Sequence, residues 1–537
     1  MGNHTDDLAQ RLLLQLQQGR IDRRSFMKGM LAASAGAALS SGLAGQVFAA
    51  EQAGTPKRGG HFKLGIASGS TTDSFDPGTY GDNYMQSVGH SVHNYLTEIS
   101  NSGELVGELA QSWEPSPDAR VWTFTLRDGV EFHNGKSLEA ADVVASLNHH
   151  RGPESRSAAS SILAPITDIR ADGKNRVIVT LSGGNADFPY LVSDYHLPIM
   201  PAKDGAVDAN AGVGCGAYIR ESFDPGVKTV VKRNPNYWKT DRGWFDSVEF
   251  LVIADVGART NALNTGEIHA MNGCDLKTVH LLKRNPRLEV SSIKGGQHYS
   301  LPMNVTQAPF TDRNVRLALK HAIDRDALLQ TILRGHGEVA NDTPINAGYR
   351  YFNSEIPQRP YDPDKARFYL KQAGLDSLKV DLSAADAAFA GSVDTAVLFK
   401  EHAAKAGIDI NVVREPNDGY WKNVWMKKPW SMDYWGGKPT EDWAFSLVYG
   451  KGAAWNETFW DNPRFNELLL NARSELDDGK RRQMYGEMQL LLRDEGGALI
   501  PLFANYVDGI SSLIGHDRIG NNWDLDGLRA AERWWFA

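Results

Sequence analysis

Cysteine is almost missing from this sequence. Cys215 and Cys274 are the only two in 537 residues. Two cannot build a disulfide framework, and no CxxC or Cys/His zinc spacing accompanies them. In an oxidising compartment they either bridge each other or remain thiols, since a bridge needs Cα atoms within about 4.4–6.8 Å. Basic charge is not in excess. Lys and Arg number 57 against 65 Asp and Glu, a net charge of -8. A nucleic-acid partner would ask for a basic face, so that class is disfavoured. Catalytic signatures are missing too. There is no GxSxG nucleophile elbow, no HExxH and no GxxxxGK[ST] phosphate loop, which argues against an enzyme. Gly212-Val-Gly-Cys-Gly216 superficially suggests a dinucleotide loop. It lacks the third glycine at the required spacing, and Ala217-Tyr218 carries it into a strand. No cofactor and no catalytic residue is expected.

Long apolar runs are also scarce. The longest mild one, Gly29 to Phe48, is broken by Gly and Ser and falls short of a stable membrane span. It follows Asp22-Arg-Arg-Ser-Phe-Met-Lys28. Twin arginines, a spacer, a large apolar residue and a lysine resemble a twin-arginine export signal. Asp22 stands where the usual pattern has Ser or Thr. Val47-Phe48-Ala49 offers a peptidase site with cleavage before Ala50. Residues 1–49 are therefore expected to be a signal peptide and the remainder a periplasmic protein.

Tryptophan is what the chain has in one place. Tyr420 to Trp460 holds Trp421, Trp425, Trp430, Trp435, Trp443, Trp455 and Trp460, seven of fourteen. The same stretch carries Trp435-Gly436-Gly437-Lys438-Pro439-Thr440-Glu441-Asp442. Aromatics with a few convergent polar groups build small-molecule pockets, although they build ordinary cores as well.

At this length one hydrophobic core is not enough, and two or three lobes are expected. Strand-like segments at 61–67, 122–126, 177–181, 248–253, 378–382 and 408–413 alternate with helical ones at 83–96, 140–149, 257–265, 364–372, 392–405 and 463–494. Phe310 to Leu333 reads as a helical stretch interrupted near Asp324-Arg325. Such alternation predicts α/β lobes. Asp128-Gly129 is read as the turn of a hairpin whose partner strand runs through Val130 to Phe132. Asn134-Gly135 is read as a second tight turn, and Asp142 as a residue near a helix N-terminus.

A set of ordered motifs runs through nearly the whole mature chain. It comprises Leu109-Ala-Gln-Ser-Trp113, Trp122 to Gly135, Arg233-Asn-Pro-Asn-Tyr-Trp238, Ala258 to Glu267, Pro309-Phe-Thr-Asp-Arg-Asn-Val-Arg316, Ala322-Ile-Asp-Arg325, Tyr361-Asp-Pro363 and Ile500-Pro501-Leu502. In that order the chain resembles the large dipeptide/oligopeptide/nickel class of periplasmic solute-binding proteins, which serve ABC importers. The resemblance implies a two-lobed, hinged fold that closes on a cargo. It places the first lobe at 57–302 plus 503–537, with an inserted subdomain at about 95–210, and the second at 303–502. It implies a monomer that hands a short peptide or peptide-like solute, such as an opine or modified amino acid, to a membrane permease. The alternatives are a nickel or metal-chelate carrier, for which His90 and His93 sit three apart on a helix, an oligosaccharide binder, or, more remotely, a secreted enzyme.

By that resemblance the Trp-Gly loop lines the cleft, which nominates Trp435, Gly436, Gly437, Lys438, Glu441 and Asp442. Peptide binders of the family hold the peptide amino terminus with an aspartate just after the tryptophan. Lys438 stands nearest that place here, so Glu441 or Asp442 takes over or the cargo offers Lys438 an anion. The stretch Ser383 to Asp394 lacks the Arg that dipeptide binders use for the carboxylate. Ser70, Thr71, Thr72 and Tyr84 in the first lobe, and Tyr299 and Asn304 at the crossover, complete the expected site.

Overall fold

A computed structural model describes residues 55–537; the expected signal peptide lies outside them. The main sheet takes strands in the spatial order Tyr218–Asp224, Lys228–Arg233, Ser247–Val252, His61–Ile66, Ala270–Met271, Leu502–Ser511, Leu288–Ser300 and Asp433–Trp435. It is mixed. His61–Ile66 runs parallel to both neighbours, while Leu502–Ser511 is antiparallel to Leu288–Ser300. The strand Leu288–Ser300 spans 13 residues and leaves one hydrophobic cluster, near Val290, to enter another at Tyr299 and Leu301. Its register against Leu502–Ser511 shifts between Lys294 and His298. That bulge drops Gly295 and Gly296 out of the ladder, as bulges beside binding sites do.

A separate four-stranded antiparallel sheet orders Ala110–Pro115, Val121–Leu126, Arg176–Leu181 and Ile166–Ala171. Its alternating buried positions (Trp122, Phe124 and Leu126 in one strand) build a core of their own with the helix Ala140–His149. That helix starts at a capping box: Asp142 accepts the Glu139 amide at 2.9 Å and also holds Lys136 at 2.6 Å and the Ala202 amide at 2.6 Å. Elsewhere, Leu378–Ala384 and Ile408–Arg414 pair in parallel around the helix Ser392–Ala404, a βαβ unit.

The interrupted helical stretch resolves into Arg313–His321 and Arg325–Thr331. The first closes at Ala322, and Asp324 caps the second, accepting the Ala327 amide at 3.0 Å. The hairpin expected at Asp128-Gly129 does not form. Val121–Leu126 pairs with Ala110–Pro115 and Arg176–Leu181 instead, and Glu131 makes only an isolated bridge to Ser137. Tertiary pairing of Trp122 and Phe124 with a larger core outweighed the local turn signal. Gly135 does turn, with its amide on Phe132 O at 2.8 Å.

The glycines of Gly212 to Gly216 have a structural explanation. A Cβ at Gly214 would fall 2.2 Å from Val92 O, and one at Gly216 2.5 Å from Val92 C. They let two backbones touch. Both cysteines are free and buried, Cys215 in the four-stranded core and Cys274 in a different cluster with Leu263 and Met271. The open question of a bridge is thereby answered in favour of two thiols.

Candidate functional site

A cavity of about 380 Å³ opens where the cores meet. Its lining brings Tyr80, Asp194, Tyr195 and Trp523 together with Tyr349, Gly437, Lys438, Trp443 and Trp455. The volume and the aromatic walls are those of a small-molecule site. Gly437 belongs at the closest approach. A Cβ there would lie 2.9 Å from Gly296 Cα, so the Trp-Gly loop and the bulged strand press backbone on backbone.

Three charged side chains line this space, Asp194, Lys438 and Arg529, and the last is committed to Glu108 and Glu532. Lys438 is half-buried, its Nζ 5.9 Å from the Trp443 ring. Burial pushes its ammonium below the usual lysine range, and the Asp194 carboxylate opposes that shift. Asp194 is oriented by His196, whose Nδ1 sits 2.6 Å from Oδ1 and whose Nε2 meets Tyr80 O at 3.0 Å. A fixed carboxylate and a desolvated ammonium lining one cavity suit a ligand carrying both an amine and a carboxylate.

The wall at 521–528 is unusual backbone. Leu525, Asp526, Gly527 and Leu528 all have φ between +49° and +66°, and only glycine adopts that region freely. Burial of Leu525 and Leu528, the Leu525 amide on Asp508 Oδ2 at 2.8 Å, and the Gly520 amide and Trp534 indole on Asp526 hold it there. Asn521, Asn522, Trp523 and Gly527 thereby present a preset surface to the cavity.

The residues expected from sequence fare differently. Gly437 and Lys438 line the cavity, and Gly436 packs beneath Trp523, 3.3 Å from where its Cβ would sit. Trp435 is held back from it. Its indole donates to Glu457 at 3.2 Å and its ring lies between Trp425 and Trp455. Ser70, Thr71 and Thr72 form an exposed loop that closes on itself through Ser70 Oγ and Thr72 Oγ1 at 2.8 Å and is not part of the cavity wall. Tyr84 is fully buried with its hydroxyl 2.7 Å from Thr229 Oγ1. Tyr299 stacks on Phe389 at 3.7 Å, inside a core. Asn304 is buried and accepts from Thr306 N and Oγ1 at 3.0 and 2.7 Å, shaping a turn. These last three are corrections: hydroxyl and amide groups at a strand end are as useful for closing a fold as for meeting a ligand.

Glu441 and Asp442 are corrected too. Both are buried in the first turn of the helix Glu441–Val448, capped by Thr440. Glu441 Oε1 accepts the Tyr351 amide at 2.6 Å, and Asp442 meets Arg473 at 3.1 Å. Burial pushes Glu441 up to about 7 and Asp442 up to about 6. The fold therefore favours their protonated forms. Their contribution is present at acid pH and is lost as pH rises from the ordinary value of 4.5 through about 7. Glu441→Gln is expected to remove about half of that slope and to exceed the parent at pH 8 by on the order of 2 kcal/mol in urea denaturation; equal pH profiles for both would contradict it.

Sequence reasoning missed Asp194, Tyr80, Tyr349 and Trp523. No local pattern marks Asp194. Trp443 and Trp455 lay in the tryptophan-rich stretch and were signalled by it.

Among the described residues no helix is long and apolar enough to cross a membrane, and no group of three or more His, Cys, Asp or Glu is placed to hold a metal ion. Comparison with known proteins agrees with the geometry. GsiB of Pectobacterium atrosepticum, a glutathione-binding protein, is 26% identical over 451 residues, 79% of this chain and 85% of that protein. Di/tripeptide-binding protein 1 of Pseudomonas aeruginosa is 26% identical over 462 residues, 78% of this chain and 85% of that protein. The crystal structure of the periplasmic binding protein AgaA from A. tumefaciens R10, in complex with agropinic acid, superposes with a TM-score of 0.73 at 22% identity, covering 89% of this chain and 99% of that one. The fold is thus the two-lobed periplasmic-binding-protein fold. Residues 104–457 match the middle region of the bacterial extracellular solute-binding proteins, family 5, and the chain belongs to that family.

Proposed function

We propose that this protein captures a short peptide or peptide-like zwitterion, such as an opine, and passes it to the permease of an ABC importer without chemical change. The observation that carries this is that Asp194 and Lys438 line one aromatic cavity, near enough for the carboxylate to act on the ammonium. Asp194 takes the amine and Lys438 the carboxylate, the reverse of a site with an acid after the tryptophan. Relatives named for glutathione and for di- and tripeptides support zwitterionic cargo of this size.

The lobes we propose are 57–302 plus 503–537, with the four-stranded subdomain inside the first, and 303–502. The paired strands Leu288–Ser300 and Leu502–Ser511 run between their cores. Cargo contacts on both sides favour closure about that crossing. Export by the twin-arginine route and action as a monomer complete the reading. Mass spectrometry of the exported protein is expected to find Ala50 as its first residue.

The test is calorimetry against glutathione, di- and tripeptides and agropinic acid. For whichever binds, Lys438→Ala is expected to weaken affinity about 10- to 100-fold, the worth of a hydrogen bond to a charged group. Unchanged affinity removes Lys438 from the site. A metal-chelate reading has one observation in its favour. His90 lines the cavity with Nδ1 buried and unpartnered, its imidazole kept neutral chiefly by burial. His93, by contrast, is wholly buried. A nickel–histidine complex that binds the parent protein but not His90→Ala would favour it.

A further inference from the structure

The tryptophans do not end at the cavity. Trp455, which lines it, lies 5.8 Å from Trp435; Trp435 lies 6.1 Å from Trp425; Trp425 lies 6.0 Å from Trp421. Each successive ring is tilted against the last, so faces and edges alternate along the row. The two ends are open: Trp455 is 47% exposed and Trp421 42%. The two middle rings are pinned by a single buried carboxylate. Glu457 accepts the Trp425 indole at 2.9 Å and the Trp435 indole at 3.2 Å, with Ser300 Oγ also at 3.2 Å. Asp433 lies against it, its carboxyl pushed well above the ordinary range by burial and by the neighbouring Glu457.

The row wraps Asp433–Trp435, the last strand of the main sheet. Covering a sheet edge is reason enough for some rings here. It does not account for end rings left nearly half in water beside middle rings held by Glu457. Surface aromatics arranged this way mark contact with a partner. Continuity with the cavity says which partner: the portion of the cargo that the cavity does not enclose. The middle indole N–H groups are committed to Glu457, so the row offers ring faces and C–H edges in place of polar groups. It therefore selects an apolar group.

We propose that Trp455, Trp435, Trp425 and Trp421 form an outer subsite that receives an aromatic or branched apolar group carried by the cargo beyond the cavity. This rests on the reading of the cavity as the cargo site. The test uses probes that do not engage Asp194 or Lys438: neutral N-acetyl-phenylalaninamide, N-acetyl-leucinamide and N-acetyl-alaninamide, followed by saturation-transfer NMR on the full mature chain. The phenylalanine probe is expected to bind most tightly and the alanine probe least. Trp421→Ala, an exposed position that leaves the core untouched, is expected to weaken the phenylalanine probe about three- to tenfold. Lys438→Ala is expected to leave it unchanged. No ordering among the probes, binding undiminished in Trp421→Ala, or loss in Lys438→Ala would each overturn the subsite. Failure of every zwitterion in calorimetry, with these probes still binding, would overturn the proposed cargo class and leave the subsite standing.

Discussion

Glu108→Ala is expected to destabilise the protein by about 3–5 kcal/mol, the usual cost of leaving buried charges without their partner. Glu108 is wholly buried at the centre of an ion network. Its carboxylate receives Lys239 at 2.6 Å and Arg529 at 3.1 and 3.2 Å, and also the Tyr95 amide and the Asn94 side chain at 2.8 Å. Glu532 shares the same cations, with Arg529 at 2.8 Å and Lys239 at 3.1 Å, and Glu98 receives Arg242 at 2.6 Å and Arg533 at 2.9 Å. Removing Glu108 leaves Arg529 and Lys239 to share Glu98 and Glu532 with the other cations, a buried excess of positive charge. Glu108→Gln keeps the shape and several hydrogen bonds, so it is expected to cost less. Because the groups act together, Glu108→Ala with Arg529→Met is expected to lose less than the two single changes added. The network also sets an acid limit. Burial opposes ionisation of Glu98 and Glu532, yet the surrounding cations win and hold both well below the ordinary 4.5. Their contribution is complete above that value and is lost as pH falls below it. Urea midpoints for the parent and Glu108→Ala, measured from pH 7 down to pH 3, check both statements. A loss under 1 kcal/mol would mean that water reaches the network.

Asp187→Ala is expected to weaken cargo binding without touching the cavity, and to cost several kcal/mol of stability. Asp187 meets Arg481 at 2.8 Å, the two side chains 6% and 4% exposed. Alongside them the Ala186 amide donates to Arg473 O at 2.7 Å. The segment 184–188 leads into the four-stranded core, whereas Arg481 lies in the helix Asp478–Glu495 and packs over Tyr351 and Tyr485. On the proposed lobe boundaries this ion pair joins the two lobes away from the ligand. An open form would expose it to water, where such a pair contributes little. Buried, it favours closure, and loss of Asp187 leaves Arg481 unpaired in an apolar site. Affinity is therefore expected to fall at least tenfold. Small-angle scattering of cargo-loaded Asp187→Ala is expected to show a larger radius than the loaded parent; identical radii and affinities would place the pair outside the closing motion.

Much of this fold could be read before the structure. Period-two and helical patterns located the strand at 122–126, the helix at 140–149 and the break at Asp324, because each is set by local spacing and by a cap. The hairpin at Asp128-Gly129 failed because strand partners are chosen by whole faces, and Trp122 and Phe124 found a larger one. The tryptophan-rich stretch supplies Gly437, Lys438, Trp443 and Trp455 to the cavity lining. Asp194 stayed hidden, since a lone acid in Leu191-Val-Ser-Asp-Tyr-His196 carries no periodic signal; only folding brings it into the same lining as Lys438. Tyr84, Tyr299 and Asn304 were misread for the converse reason. The Tyr84 hydroxyl and the Asn304 amide oxygen meet Thr229 and Thr306, and the Tyr299 ring stacks on Phe389; of these partners only Thr306 is near enough in sequence to be seen.

Two thiols in two separate cores make a natural pair of reporters. Burial raises both Cys215 and Cys274 above the ordinary thiol range, so neither reacts until its surroundings part. A maleimide added to the untouched protein would thus time the breathing of the four-stranded subdomain at one sulfur and of the cluster beside the long crossing strands at the other, with no engineered label needed.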